Sequence, residues 1–288
     1  MNSSVADSDM KTKFFVLIST IDDRIDSLHQ LIEPRYEWVE YVVSHQVTKP
    51  LDDGSLEAID ALKKRSDIHY DAINSKGVAK NRNNALKFLE HRSYAVIVDD
   101  DVKWCENALD QIRETVLKNE TVDFFTFKIK NADTKGDFKP YEKKERMHSW
   151  SSLTGVGTTE MVFKSDIVLE GGVRFDERFG PGAKMYCSGE DYIFATDIYK
   201  LGYKMKHIPL FTVEHPPGST GNRLEEDVIF AKGAVFSRVF GVASFGVDIL
   251  FAIKKRSLYS KRYSFMRYLK LLWSGSFHFL KNSSGVEV

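Results

Sequence analysis

The stretch SYAVIVDDDVKW, residues 93–104, decides the fold reading. Tyr94, Ala95, Val96, Ile97 and Val98 form a short apolar run, the pattern of a buried strand. It leads without a break into Asp99, Asp100 and Asp101. Three adjacent carboxylates repel one another, and taking any of them out of water is costly. A chain that places them at the end of a buried strand expects a cation there. Hard divalent ions such as Mg2+ and Mn2+ take carboxylate oxygens and keep positions open for phosphate oxygens. A solvated acidic turn is the plainer explanation, and the apolar strand in front of it weighs against that. A dehalogenase-type phosphatase also carries aspartates after a strand, but it wants Thr or Val where Lys103 stands.

Outward from this stretch, strand-like and helix-like segments alternate. KFFVLIS (13–19), WVEYVVS (38–44), DIHYDAI (67–73) and VDFFTFKIK (122–130) read as further strands. Helix-like sequence covers residues 22–32, KGVAKNRNNALKFLE (76–90) and NALDQIRETVLK (107–118). HQVTKPLDDGS (45–55) reads as a loop from its Pro, Gly and Asp. The alternation predicts an α/β chain whose parallel sheet binds ligands beyond the carboxyl ends of its strands. The three aspartates lie at such an end. Residues 131–158 are polar and irregular, which predicts a mobile loop over a site. TTEMVFKSDIVLEGGVRFDERFG, from Thr158, reads as a strand, a short helix and a turn.

Three more stretches carry chemistry. In SGEDYIFATDIYKLGYKMKHIP (188–209), Ser188 and Asp191 have the spacing of a loose capping box at a helix start. The same helix start offers Glu190 and Asp191 as a general base. VEHPPGSTGN (213–222) is a stiff, turning loop that presents His215 either as surface polarity or as a metal or phosphate ligand. Around Gly77, the cations Lys76, Lys80 and Arg82 would welcome a phosphate, although the spacing is not that of a P-loop.

Composition narrows the class. With 288 residues, 42% of them hydrophobic and 12% aromatic, the chain supports a substantial core. Basic and acidic residues balance at 41 each, and nothing points to nucleic acid. Two cysteines, Cys105 and Cys187, fit a reduced compartment, most simply the cytoplasm. MNSSVADSDMKTK lacks a leader signature. GVASFGVDILFAI (241–253) contains Asp248 and falls short of the roughly 20 apolar residues a membrane span needs. A soluble or peripheral protein is expected.

In this order the motifs resemble the family 2 glycosyltransferases of the GT-A fold, over about residues 13–222. KGVAKNRNNAL is similar to the family's G-x-x-x-x-R-N helix, and VIVDDDV to its DxD element. FDERFGPGAKMYCSGEDYIFATDIYKLGYKM resembles its F-D-E…E-D block, and VEHPPGST the His-Pro loop that follows. The resemblance implies a Rossmann-like, mixed and mostly parallel sheet flanked by helices. It implies a catalytic domain over 1–222 and a helical extension over 223–288. It also implies inverting, metal-dependent transfer of a hexose or N-acetylhexosamine from a nucleotide sugar, UDP-linked, to a glycan or lipid-linked acceptor in bacterial surface polysaccharide synthesis. By the same resemblance, Ser19, Thr20, Arg82, Asp99 and Asp100 bind the donor, and Asp101 and His215 hold Mn2+ or Mg2+. Asp191 is the base and Glu190 supports it. Two features depart from the pattern. SHQVTKP after the second strand lacks the usual aspartates, and PGAKMYC (181–187) lengthens the loop before the E-D pair.

The tail is distinctive. Residues 251–280 hold seven Lys/Arg, eight aromatics and no acid, a composition suited to the inner, anionic face of a membrane or to a helix packed with its basic side outward. Two rival readings share the aspartates: a metal-dependent nucleotidyltransferase or phosphatase, and an inactive GT-A scaffold.

Overall fold

A computed structural model describes residues 12–217 and 224–283. The N-terminal stretch read as leaderless (1–11) and the second half of the His-Pro loop (218–222) lie outside the described residues. The chain divides into two compact units. The first holds residues up to 76, Lys80–Phe175 and Phe194–Pro217; the second holds Gly77–Ala79, Asp176–Ile193 and residues 224–283.

The first unit is built on one sheet. Its strands are β1 (Phe14–Ile21), β2 (Val39–Gln46), β3 (Ile68–Ile73), β4 (Tyr94–Asp99), β5 (Lys103–Trp104), β6 (Phe124–Asn131), β7 (Arg146–Met147), β8 (Met161–Lys164) and β9 (Met205–His215). The order is β3-β2-β1-β4-β8-β6-β9-β5, with β7 also on β9. The β3-β2-β1-β4 half is parallel, as are β6 and β9, while β8 runs antiparallel between β4 and β6. Phe14, Phe15, Val16, Leu17 and Ile18 are all buried, so both faces of β1 are covered. That is why it reads as an unbroken apolar run rather than an alternating one. The register sets Ser19 beside Asp99, so the turns leaving β1 and β4 share one edge of the sheet.

Helices of eight residues or more are numbered here. α1 is Asp53–Lys63, α2 Val78–Ala85, α3 Ala108–Lys118 and α4 Glu190–Lys200. α3 buries Ala108, Leu109, Ile112 and Val116, a single stripe at helical spacing that packs into the core of β1, β2 and β4.

Several sequence expectations need correction. The loop over 45–55 ends early, because Asp52 caps α1 by accepting from the Ser55 N–H at 2.8 Å. The expected helix at 22–32 is a 3-10 segment, Asp22–Leu28, and one α turn, His29–Ile32. Its tighter winding starts at Asp22, whose φ is +48° and whose carboxylate accepts from the Thr48 amide (2.7 Å) and hydroxyl (2.8 Å). α4 starts at Glu190, and the Gly189 carbonyl accepts its first helical bond from Ile193. Gly189, at φ +104°, therefore takes the cap position expected for Ser188. A side chain there would also meet Val235 Cγ2 at 2.2 Å.

The second unit holds α5 (Glu226–Phe240), α6 (Ser244–Lys254) and α7 (Phe265–Ser283), a helical C-terminal region as expected. α5 and α7 touch backbone to backbone: a Cβ on Gly233 would fall 1.9 Å from the Leu272 carbonyl oxygen, and one on Gly275 1.8 Å from that of Phe230. Tyr186 packs under them, stacked on Phe179 at 4.6 Å and hydrogen-bonded to His278 Nδ1 at 2.9 Å. By length and composition the 29-residue helical run Glu226–Lys254 is apolar enough to cross a membrane.

Candidate active site

β4 ends at Asp99, and the three aspartates part company there. Asp99 accepts from Arg82 Nη2 at 2.8 Å and from the Thr159 hydroxyl at 2.9 Å. Burial pushes its carboxyl up, but the Arg82 charge and these two bonds outweigh burial and hold it below the ordinary carboxylate range. Asp100 turns inward, 6% exposed, and accepts from the Thr20 hydroxyl at 2.8 Å and from Arg24. Burial pushes Asp100 up to about 6 in spite of Arg24. Asp101 faces out, with Oδ1 3.5 Å from His215 Nε2 and Oδ2 3.3 Å from Arg24 Nη2. Part of the like-charge repulsion is thus already offset by two guanidiniums.

Asparagines on α2 aim Arg82. Asn81 donates to the Thr20 carbonyl at 2.9 Å and accepts from Ser44 at 2.6 Å. Asn84 donates to Ser44 (3.0 Å) and Asp71 (2.6 Å), and Asn83 exchanges two bonds with the Phe175 backbone at 2.8 and 2.9 Å. Arg82, between them, lies 5.6 Å over the Phe175 ring. NRNN is therefore three clamps around one cation.

The ends of β1 and β2 form the adjoining wall. Ser19 is half-buried, while the hydroxyl of buried Thr20 is committed to Asp100. Where the family's aspartates were missing, His45 bridges the Tyr70 hydroxyl and the Asp22 carbonyl, each at 2.9 Å. A carbonyl only accepts, so Nε2 donates to it and Nδ1 accepts from Tyr70. Burial lowers the His45 pKa, in keeping with that neutral tautomer.

Asp101 and His215 fit a divalent ion by donor chemistry. A half-exposed carboxylate oxygen and an imidazole nitrogen face each other at 3.5 Å, at the ends of β4 and β9. The His215 ring is braced edge-on against Phe138, with centroids 5.0 Å apart. A different group, His91 with Asp166 and Glu170, has ligand atoms near one another. It lies before Tyr94, at the opposite end of β4 from Asp99, and is mostly exposed.

No protein-family model matches the chain, and no curated protein matches it. Solved structures do. S. aureus TarS 1–349 aligns over 93% of this chain and 91% of its own, at TM-score 0.62 and 15% identity. The same fragment in complex with UDP-GlcNAc aligns over 94% and 90%, at 0.64 and 14%. The mannosyltransferase PcManGT from Pyrobaculum calidifontis, in complex with GDP-Man and Mn2+, aligns over 96% and 77%, at 0.53 and 16%. The chain has the GT-A glycosyltransferase fold.

On that GT-A sheet, Ser19, Thr20, Arg82, Asp99, Asp100, Asp101 and His215 all belong to the first unit. Asp191 and Glu190 open α4 and belong to the second. Asp191 accepts from the Tyr192 N–H at 2.7 Å, and Glu190 is buried. Sequence reasoning missed Arg24 and Thr159, which hold the aspartates. Neither stands in a motif, and their partners are 76 and 60 residues away along the chain.

Proposed function

We propose that this chain is an inverting, metal-dependent glycosyltransferase. It moves a hexose or N-acetylhexosamine from a nucleotide sugar, UDP-linked, to a hydroxyl of a glycan or lipid-linked acceptor in bacterial surface polysaccharide synthesis. The observation that carries this reading is the Asp101–His215 pair beside the Arg82-bound Asp99, at the strand ends of a GT-A sheet. The bound ligands of the similar structures, UDP-GlcNAc, UDP and GDP-Man with Mn2+, support it.

In this reading Asp101 and His215 would hold Mn2+ or Mg2+, and the bound ion would supply positive charge against that growing on the departing diphosphate. Asp99, kept anionic by Arg82 and Thr159, accepts hydrogen bonds from the donor's hydroxyls. Asp100 and Thr20 keep the turn after β4 in shape, and Ser19 lines the nucleotide pocket. Asp191 takes the proton of the acceptor hydroxyl while that oxygen attacks the anomeric carbon, and Glu190 supports it. One C–O bond forms, the bond to the diphosphate breaks on the opposite face, and the configuration inverts. The protein works in the cytoplasm, at the inner face of the membrane.

Thermal unfolding with UDP, GDP, CMP and ADP, each with and without Mn2+, tests the reading. A ligand of the folded state raises the melting temperature by mass action. The expected result is a Mn2+-dependent rise with UDP that Asp101→Asn abolishes. No rise with any nucleotide would leave a scaffold. Release of phosphate or pyrophosphate without sugar transfer would point to the phosphatase or nucleotidyltransferase alternative.

A further inference from the structure

Helix α6 is built inside out. Its buried residues are Ser244, Asp248 and Ala252, four apart and so on one stripe. Asp248 is fully buried and accepts from the Ser276 hydroxyl at 2.7 Å, and Ser244 shares a buried hydrogen bond of 2.7 Å with Ser237. Its outward residues are apolar. Leu250 is 69% exposed and Ile253 59%; Val242, just before the helix, is 77% exposed, and Leu258, just after it, 60%. A helix facing water shows the reverse pattern. Polar and small residues turned inward and apolar ones turned outward is how helices pack in lipid, and the Gly233 and Gly275 crossing of α5 and α7 follows the same rule.

Charge identifies what covers this face. Residues 254–262 contain Lys254, Lys255, Arg256, Lys261 and Arg262 and no acid. All of these cations but Lys255 are exposed. Asp248, already buried against Ser276, is the one acid in residues 241–283. The apolar face thus carries a wholly cationic border, complementary to anionic headgroups. Length decides how the helix lies. From Val242 to Ile253 the exposed apolar run rises about 17 Å at ~1.5 Å per residue, against a hydrocarbon core of roughly 30 Å. α5, which would have to continue a span, buries nine of its residues inside the protein.

We infer that α6 and the basic turn after it form a membrane-binding surface that lies in the plane of an anionic bilayer and enters one leaflet. This deepens the membrane placement proposed above, but it does not depend on sugar transfer, so the two readings fail separately.

The test is co-sedimentation of the full chain with vesicles of phosphatidylcholine alone or phosphatidylcholine with phosphatidylglycerol, at low and high salt. Binding is expected only with phosphatidylglycerol and is expected to weaken with salt. Leu250→Glu with Ile253→Glu should reduce it roughly tenfold or more. Both positions are exposed, and an unchanged melting temperature and circular dichroism spectrum would show the variant folded. Lys261→Ala with Arg262→Ala, also at exposed positions, should give a smaller loss, confined to low salt. Three results would overturn the inference: no binding to either vesicle, binding indifferent to anionic lipid, or a folded double-Glu variant that binds like the parent. A dimer that the double-Glu variant converts to monomer, with no vesicle binding, would assign the face to a second copy instead.

Discussion

Asp99, Asp100 and Asp101 share one side-chain chemistry and end in three environments. Asp99 is held anionic between Arg82 and Thr159, Asp100 is buried under Arg24, and Asp101 is left facing His215. The sequence alone implied an external cation beside them, whereas two arginines of the chain already stand there, Arg82 at Asp99 and Arg24 at both Asp100 and Asp101. Thr159 is the residue whose removal isolates this logic. Thr159→Val keeps the shape and deletes one bond to a partly exposed carboxylate, a bond worth up to about 2 kcal/mol when the acceptor is charged. The expected outcome is a loss of that order in denaturant unfolding, together with several-fold weaker nucleotide binding. Unchanged values for both would mean that Arg82 alone sets Asp99.

Elements are held by bonds that their own sequence does not reveal. The segment 131–158, expected as a mobile loop, is pinned at several places. β7 pairs with β9, Tyr141 donates to buried Glu160 at 3.0 Å, and Lys139 pairs with the same carboxylate. Deeper in, His207 Nε2 lies 3.2 Å from the Glu142 carbonyl and Nδ1 3.2 Å from the Thr126 hydroxyl. That hydroxyl is 2.8 Å from His148 Nε2, and His148 Nδ1 is 2.9 Å from Ser152. Because the carbonyl can only accept, neutral rings take one direction: His148 donates to Thr126, Thr126 to His207 and His207 to Glu142, while the single Ser152 hydroxyl hydrogen is shared between His148 Nδ1 and the Ser149 carbonyl 2.8 Å away. Burial lowers both histidines, His148 to about 4, with the neighbouring ring adding to it. Such a base is neutral in both folded and unfolded chains above about pH 6.5, where nothing is lost. Between there and about pH 4 the unfolded chain binds the proton and the folded one does not, so stability falls with pH. Acidification from pH 7.5 to 5 therefore costs stability at His148, against a gain at Asp100 and Asp248, whose buried carboxyls are raised to about 6, so His148→Gln should keep its melting temperature better than the parent over that range. An identical change in the variant would remove His148 from this account. His45 shifts in the same direction and leaves a residual slope.

At the scale of the molecule, the proposed chemistry is divided between two units. The sheet unit carries the aspartates and His215, and the helical unit carries Asp191, Glu190 and the inside-out α6. Donor binding and acceptor activation are therefore expected to separate under mutation. Asp191→Asn should keep the Mn2+-dependent stabilisation by UDP while slowing sugar transfer by about 100-fold or more, the usual contribution of a general base. Transfer at the parent rate would remove Asp191 from that role.

The sequence by itself determined the central strands β1 and β4, because a strand buried on both faces is an unbroken apolar run that no distant partner needs to explain. It also determined that the carboxylates follow a strand and that an Asn/Arg-rich helix comes before them, since both are patterns within a few residues. Only the tertiary structure decided that β8 enters the sheet antiparallel, that Arg24 and Thr159 divide the aspartates, and that α6 turns Asp248 inward and Leu250 outward. Each of these is set by a pairing across dozens of residues. α6 shows why such pairings escape the sequence: its apolar and polar positions are plain to read, but which stripe meets the protein is chosen by Ser237 and Ser276 on its neighbours.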